Sequence, residues 1–177
     1  NIIHQNGFEN TVINVLYPFL SKIGILWQTG NIHPAQEHFI SNLIRQKIIV
    51  AIDGLPTPEP DALRAVLFLP EHELHEIGLL FYNYILKKNG YRTYYLGQSV
   101  PYKDLVAVCN AHKPEILVTA VVSSSKIEEM QNYLERLAAD FKTVTILASG
   151  TPLIEKVVKS PEKITVFSSI EDFKDHL

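Results

Sequence analysis

A proline-rich run divides the sequence into two parts of different character. Residues 53–60 read DGLPTPEP, and three prolines and a glycine within this stretch predict an irregular connection, because proline lacks the backbone N–H that helices and inner strands use. The spacing of apolar residues also changes there, from steps of three and four to short continuous apolar runs. We therefore expect a helical segment over residues 1–55, a linker over 56–62 and a second domain over 63–177.

The part before the linker has the pattern of two helices, over residues 8–27 and 34–52. Pro18 is expected to bend the first. The second carries a stripe of Phe39, Ile40, Leu43, Ile44, Lys47, Ile48 and Ala51. Two helices of this length cannot bury their stripes against each other alone. We expect further helices of a bundle N-terminal to residue 1, and self-association, to cover the rest.

The part after the linker alternates strands with helices. Strands are predicted over residues 64–69, 93–96, 116–121, 144–147 and 164–167, each followed by a helical segment. Such alternation requires right-handed crossovers and a parallel sheet with both faces covered. We predict an α/β fold in which a partial helical bundle precedes a flavodoxin/Rossmann-like, five-stranded parallel domain. The expected strand order is 2-1-3-4-5, with ligands at the carboxyl ends of the strands.

Composition argues against a domain that holds DNA by itself, an internal disulfide and a membrane segment. The chain has 16 Lys and Arg against 19 Asp and Glu, a formal charge of −3, and no basic stripe or recognition helix with which to hold DNA by itself. Its one cysteine, Cys109, cannot form an internal disulfide. Because no signal peptide and no apolar run of about 18 residues is present, we expect a cytoplasmic protein without a membrane segment.

One candidate site follows the first predicted strand, where the chain reads Glu73-x-His75-x-x-Gly78. In this spacing His75 can present one ring nitrogen to a metal while Glu73 accepts a hydrogen bond from the other. Gly78 would let a bulky ligand approach the backbone. A loop rich in His and Glu is equally typical of a solvated turn, so this motif alone leaves both interpretations open. The spacing from His72 to His75 is one residue short of the zinc-protease motif.

A second candidate motif lies in the helical part. Trp27, at the end of the first predicted helix, is followed after nine residues by Glu37 and His38 in the second. The two places come close in a helical hairpin. Alone, this pattern is more typical of an interfacial tryptophan beside a surface Glu-His pair.

Together, the two motifs resemble the cobalamin-binding, light-sensing region of MerR-type transcriptional regulators, the CarH/LitR-like group, over nearly the entire chain. Trp27, Glu37 and His38 match a signature of that group. Glu73 to Gly78 matches the base-off cobalamin signature that is shared with corrinoid methyltransferases. The resemblance implies that His75 is the lower ligand to cobalt, and that the displaced nucleotide tail runs into a slot beside the sheet.

The resemblance also implies which residues line that slot. The family has Ser-x-Leu at the third strand and Gly-Gly at the fourth, and here Thr119-Ala120-Val121 and Ser149-Gly150 occupy those places. Thr119, Val121, Ser123, Ser149 and Gly150 are therefore expected to bind the cofactor. Thr119 keeps a hydroxyl, and Ser123 can add one. Ser149 is a departure that adds a side chain where only a hydrogen is usual, so the slot is expected to be tighter or shifted.

Above the corrin ring, the resemblance implies that Trp27 packs over the upper ligand, Glu37 accepts from ribose hydroxyls and His38 supports that contact, which favours adenosylcobalamin. Gln28 stands where family members can have a histidine. Light would break the cobalt–carbon bond and change self-association. We expect a sensor rather than an enzyme, a homo-oligomer (dimer or tetramer), and DNA binding only through a helix-turn-helix domain N-terminal to Asn1.

Two other functions remain open from the sequence. A corrinoid protein that carries methyl groups between methyltransferase partners shares the layout and the histidine motif, but it would not need Trp27, Glu37 and His38. A regulator that kept the fold but senses another ligand is the third candidate, because Thr119 and Ser149 depart from the family pattern.

Overall fold

The computed structural model describes residues 7–122 and 127–177, and the side chains of Trp27 and Gln28 lie outside that description. The chain divides into two compact units, Asn1–Gly54 and Leu55–Leu177, here called the helical unit and the α/β unit. The division falls inside the proline-rich run.

Two helices make up the described part of the helical unit. The first, α1, comprises an α-helical turn Phe8–Thr11, a π-helical segment Val12–Leu16 and an α-helix Tyr17–Gln28. The π segment lies directly before Pro18, whose ring crowds the carbonyl group four residues earlier and removes one helical hydrogen bond. The second helix, α2, spans Pro34–Asp53, with the His33 backbone N–H donating to the Gln36 side chain at its start.

The predicted apolar stripe of α2 is buried only in part. Ile44 and Ile48, one helical turn apart, are buried, whereas Phe39 is 66% and Leu43 is 45% exposed. This partial burial agrees with the expectation that two helices alone cannot cover the stripe, because one neighbouring helix contacts only a narrow strip of a helical surface.

The α/β unit is a five-stranded parallel sheet with helices on both faces. Its elements, in chain order, are β1 Arg64–Pro70, α3 Ile77–Lys88, β2 Arg92–Val100, α4 Tyr102–His112, β3 Ile116–Ala120, α5 Ile127–Asp140, β4 Thr145–Ser149, α6 Thr151–Ile154, β5 Ile164–Val166 and α7 Ile170–Lys174. The strand order is β2-β1-β3-β4-β5, and every neighbouring pair is parallel. The predicted fold and strand order are confirmed.

The sheet buries apolar side chains on both faces, as its continuous apolar strands predict. One face, with α4 and α5, forms a core that includes Val66, Phe68, Leu117, Leu134 and Ala148. Side chains alternate along a strand, so Leu67, Val118 and Leu147 face the opposite side. Among the described helices, none has both the length and the apolar character that crossing a bilayer requires.

The carboxyl ends of β3 and β4 are in direct backbone contact. Gly150 has a φ of +121°, and a Cβ atom added there would lie 1.8 Å from the carbonyl oxygen of Val121. The Val121 N–H donates to the carbonyl of Ser149 at 2.8 Å. Glycine is therefore required at position 150 by both backbone conformation and space.

We predict that Gly150→Ala lowers the free energy of unfolding of the α/β unit by about 3 kcal/mol, because it adds both backbone strain and overpacking. Gly90→Ala is the matched control: Gly90 also has a positive φ, of +83°, but no atom lies within 4 Å of its added Cβ. The control should lose only about 1 kcal/mol. Urea unfolding of both variants measures the difference, and equal losses would contradict the close approach.

Candidate functional site

The loop between β1 and α3, residues 71–76, stands at the carboxyl edge of the sheet and contains Glu73 and His75. Helix α3 does not begin until Ile77. His72 has a φ of +71°, which no helix accommodates. The backbone N–H groups of Leu74 and His75 instead donate to Glu73 Oε1, at 2.9 and 3.0 Å. A local side-chain acceptor thus replaces the first turn of the helix.

The Glu73 carboxylate is the best-connected polar group of this loop. Its side chain is only 2% exposed. Besides the two backbone donors, Oε1 lies 2.5 Å from His75 Nδ1, and Oε2 accepts from the Val122 N–H at 2.9 Å. A buried carboxylate is tolerated when its oxygens are occupied in this way. Glu73 therefore ties the loop to the chain that follows β3.

The contact with Glu73 also sets the chemistry of His75. A carboxylate only accepts hydrogen bonds, so Nδ1 carries the proton of the neutral ring and Nε2 carries the lone pair. The His75 ring is 65% exposed, and Nε2 is the ring nitrogen that Glu73 does not hold. This is the arrangement of a metal-binding histidine whose second nitrogen is held by a carboxylate.

The end of β2 holds the same loop from its other side. The Ser99 N–H donates to the carbonyl of Glu73 at 3.1 Å, and Ser99 Oγ accepts from the His72 N–H at 3.1 Å. Gln98 Nε2 donates to the carbonyl of Leu74. Sequence reasoning missed Gln98 and Ser99, because strand 2 was predicted to end at residue 96, whereas β2 continues to Val100.

A second buried carboxylate, Glu76, lies one residue after His75. Its Oε2 accepts from the Tyr95 hydroxyl at 2.8 Å, and a Cβ atom added at Gly97 would lie 3.6 Å from the same oxygen. Glu76 was also missed. The signal that marks it is a glutamate directly before an apolar helix, where a carboxylate favours the helix N-terminus.

Gly78 lies in the first turn of α3. A Cβ atom added there would touch only the Tyr82 ring, at 3.9 Å, which is ordinary contact distance. Packing within the unit therefore does not require glycine at this position. Gly78 is half-buried and lies three residues after His75.

The structure separates two of the residues predicted to line the tail slot. Ala120, not Thr119, is in register with Ser149. By strand alternation, Thr119 shares the face of Leu117 and Val121, opposite to that of Ser149. Thr119 is fully buried, and its Oγ1 has no hydrogen-bond partner within the described residues.

The other predicted slot residues lie at the ends of β3 and β4. The Val121 backbone contacts Gly150, and Ser149 is buried. Ser149 forms a side-chain hydrogen bond with Tyr82, and burial raises the pKa of Tyr82 while this bond acts to lower it. Ser123 lies outside the described residues.

In the helical unit, Glu37 and His38 lie side by side near the start of α2. His38 Nδ1 is 2.8 Å from Glu37 Oε2, and Ser41 Oγ donates to Glu37 Oε1. The carboxylate of Glu37 is thus oriented by two neighbours on its own helix. The Trp27 side chain lies outside the described residues.

These observations test whether a corrinoid fits. Within the described residues, no group of three or more His, Cys, Asp or Glu side chains can hold a metal ion. A single histidine suits a metal whose other ligands come with a macrocycle, and the Glu73–His75 pair meets that need. The lower-ligand position therefore fits a corrin-bound cobalt. The predicted tail slot is occupied by the side chains of Tyr82 and Ser149, which a nucleotide base would have to displace.

Comparisons with known proteins relate the chain to a B12-binding domain and to transcriptional repressors. Residues 3–51 match the family model of a B12 binding domain. The chain is 32% identical over 123 residues to the HTH-type transcriptional repressor CarH of Myxococcus xanthus, which covers 70% of this chain and 40% of the repressor. It is 33% identical over 132 residues to the repressor CarA of the same organism, covering 73% and 44%. The chain thus spans less than half the length of these relatives.

A solved structure shares the fold. The monomethylamine corrinoid protein of Methanosarcina barkeri matches with a TM-score of 0.70 at 20% identity, covering 89% of this chain and 77% of that one. At this identity the likeness shows the fold alone. The chain contains a B12-binding domain and is homologous to the CarH and CarA transcriptional repressors, which confirms the resemblance that the two motifs indicated.

We predict that Glu73→Gln lowers the free energy of unfolding of the α/β unit by about 2 kcal/mol. Both oxygens of Glu73 accept hydrogen bonds, so the amide group of glutamine opposes an N–H donor at one end or the other. Glu71→Gln, two residues away on the exposed surface, is the control and should change stability by less than about 0.5 kcal/mol. Urea unfolding measures both, and similar stabilities of the two variants would contradict the role of Glu73.

Proposed function

We propose that this chain is the corrinoid-sensing region of a transcriptional repressor and that it holds adenosylcobalamin, with His75 as the lower ligand of cobalt. The observation that carries the proposal is the pairing of the exposed His75 ring with the buried Glu73 carboxylate, 2.5 Å from Nδ1. The homology with CarH and CarA supports the regulatory role.

The α/β unit supplies the lower face of the proposed site. Glu73 keeps the proton on His75 Nδ1 and so leaves the lone pair on Nε2 for the metal. Ser99 and Gln98 hold the loop at both sides, which fixes where the ring projects. Gly78 leaves room for a flat macrocycle next to the ring. Gly150 and the Val121 backbone form the neighbouring edge of the sheet.

In the helical unit, Glu37 is proposed to recognise the upper ligand of the corrinoid. The oriented carboxylate of Glu37 suits the hydroxyl groups of a ribose, because a carboxylate accepts strongly from such donors. His38 and Ser41 keep it in place. We assign Trp27 to packing over the upper ligand, as the resemblance to the CarH/LitR-like group implies. A methyl group offers neither hydroxyls nor a large surface, so this set favours the adenosyl form.

Bound adenosylcobalamin supplies a cobalt–carbon bond that light can break. In the proposed switch, loss of the adenosyl group removes the partners of Glu37 and Trp27 and shifts the chain between two states of self-association. Exposed apolar residues on α1 and α2, among them Phe39, Leu43 and Val50, support a surface that meets other copies, as a dimer or tetramer. DNA contact is assigned to the helix-turn-helix part of the whole protein, and no catalytic role to this chain.

The test is the absorption spectrum of the chain after reconstitution with adenosylcobalamin in the dark. We expect a bound corrinoid with histidine at the lower position and a spectral change under green light. His75→Ala should lose the histidine-bound spectrum. His72→Asn is the control, since His72 lies in the same loop and asparagine tolerates its positive φ. An unchanged cobalt spectrum in His75→Ala would contradict the ligand assignment.

A second candidate function is a corrinoid methyl carrier, which the shared fold of the Methanosarcina barkeri protein favours. Affinities for adenosyl- and methylcobalamin separate the two functions. A sensor should bind the adenosyl form roughly tenfold more tightly, and Glu37→Gln should reduce that preference. A preference for methylcobalamin that survives Trp27→Ala would favour the carrier.

A further inference from the structure

Three aromatic rings pack together at the carboxyl end of the sheet. Tyr82 of α3 lies 5.0 Å from Phe167 in an edge-on contact and 5.0 Å from Phe173 of α7, and Phe167 lies 4.8 Å from Phe173, all between ring centroids. We call these three residues the ring cluster. Phe167 and Phe173 are fully buried, so Tyr82 is its outermost member.

Tyr82 of the ring cluster also contacts two elements near the proposed site, the first turn of α3 and the end of β4. Its ring lies over Gly78, 3.9 Å from where a Cβ atom would be, and thus close to the start of α3 after the His75 loop. Its hydroxyl is hydrogen-bonded to the side chain of Ser149 at the end of β4. The Tyr82 side chain therefore reaches from the first turn of α3 to the carboxyl end of β4.

This position is where the slot for the nucleotide tail was expected, beside the sheet and next to Ser149. A planar base entering there must displace the Tyr82 ring, break its hydrogen bond to Ser149 and give up its contacts with Phe167 and Phe173. Thr119, the hydroxyl that was expected to receive the base, lies on the other face of the sheet. The face that holds Ser149 offers Ala120 at the matching register position, which has no polar group.

We propose that Tyr82 and Ser149 determine which corrinoids this chain accepts, by closing the slot to the nucleotide base. The site then takes a corrin ring with a small or absent lower nucleotide at least as readily as it takes complete cobalamin. The inference rests on the proposed function, because it concerns the same His75 site, and it adds the class of corrinoid that binds there.

The size of the effect follows from what the base must displace. Displacing the ring breaks one hydrogen bond between neutral groups and two aromatic contacts, and the incoming base regains part of the aromatic packing. Removing the Tyr82 ring should therefore improve the binding of a corrinoid with a base by roughly tenfold. A corrinoid without a base never meets the ring, so its affinity should not change.

The experiment measures the affinity of the 177-residue chain for cyanocobalamin and for aquacyanocobinamide by absorption titration. Aquacyanocobinamide is the corrin ring without the nucleotide, and its exchangeable water leaves one axial position to His75. The measured quantity is the ratio of the two affinities in each variant, because loss of general stability affects both corrinoids alike. Tyr82→Ala should shift this ratio roughly tenfold toward cyanocobalamin, and Tyr82→Phe, which removes only the hydrogen bond, should shift it less.

Tyr84→Ala is the matched control. Tyr84 lies on the same helix and stacks on Phe81 with ring centroids 5.9 Å apart, outside the ring cluster, so its loss should leave the ratio unchanged. Ser149→Gly tests the same slot from the other strand and gives a second measurement if Tyr82→Ala does not fold.

The outcomes separate the two proposals. A ratio that neither Tyr82→Ala nor Ser149→Gly changes, in chains that bind both corrinoids, overturns the role of Tyr82 and Ser149 while leaving the proposed function intact. Failure of the wild-type chain to bind either corrinoid contradicts the proposed function itself. A shift in Tyr82→Ala with none in Tyr84→Ala supports the closed slot.

Discussion

The candidate site depends on one buried carboxylate, that of Glu73. Its two oxygens are occupied by three backbone N–H groups and one imidazole nitrogen, from residues that include Val122, 49 positions away along the chain. A buried carboxylate is costly unless it is satisfied in this way, so breaking any one contact penalises the whole arrangement. The loop therefore stays outside the helix, and His75 keeps a defined orientation at the carboxyl edge of the sheet.

Much of the fold could be predicted from the sequence because it follows from local patterns. Continuous apolar runs alternating with amphipathic stretches leave a covered parallel sheet as the consistent solution, and the strand order followed. The start of α3 and the end of β2 could not be predicted. The start of α3 depends on local hydrogen bonds to the Glu73 side chain, and the end of β2 depends on a contact of Ser99 with the distant Glu73 backbone. The spacing of apolar residues reports neither.

The site was predictable in its residue types but not in its geometry. The spacing of Glu73 and His75 allowed their pairing but also a solvated turn, and the structure brings Glu73 Oε1 to 2.5 Å from His75 Nδ1. The residues that line the slot were harder to predict. The face of the sheet on which Thr119 lies depends on where β3 begins, and a shift of one residue moves its side chain to the other face. Tyr82 belongs to no sequence motif, and its contact with Ser149 is visible only in the folded structure.

The loop and the ring cluster meet at Gly78, so the proposed metal ligand His75 and the proposed filter Tyr82 lie within one small region of the α/β unit. His75 would select a metal with an open axial position, and Tyr82 would select the size of the group on the lower side of the corrin ring. Two requirements on one ligand give a narrower specificity than either does alone.

The central claim is that His75 replaces the cofactor's own base on cobalt. Electron paramagnetic resonance of the chain loaded with cob(II)alamin tests it directly, with nitrogen-15 incorporated only into histidine. The unpaired electron couples to the axial nitrogen, which gives triplet superhyperfine lines for ordinary nitrogen and doublets for nitrogen-15. The account predicts doublets in the labelled chain. Triplets that persist would show that the cofactor's base remains on cobalt and would contradict the account.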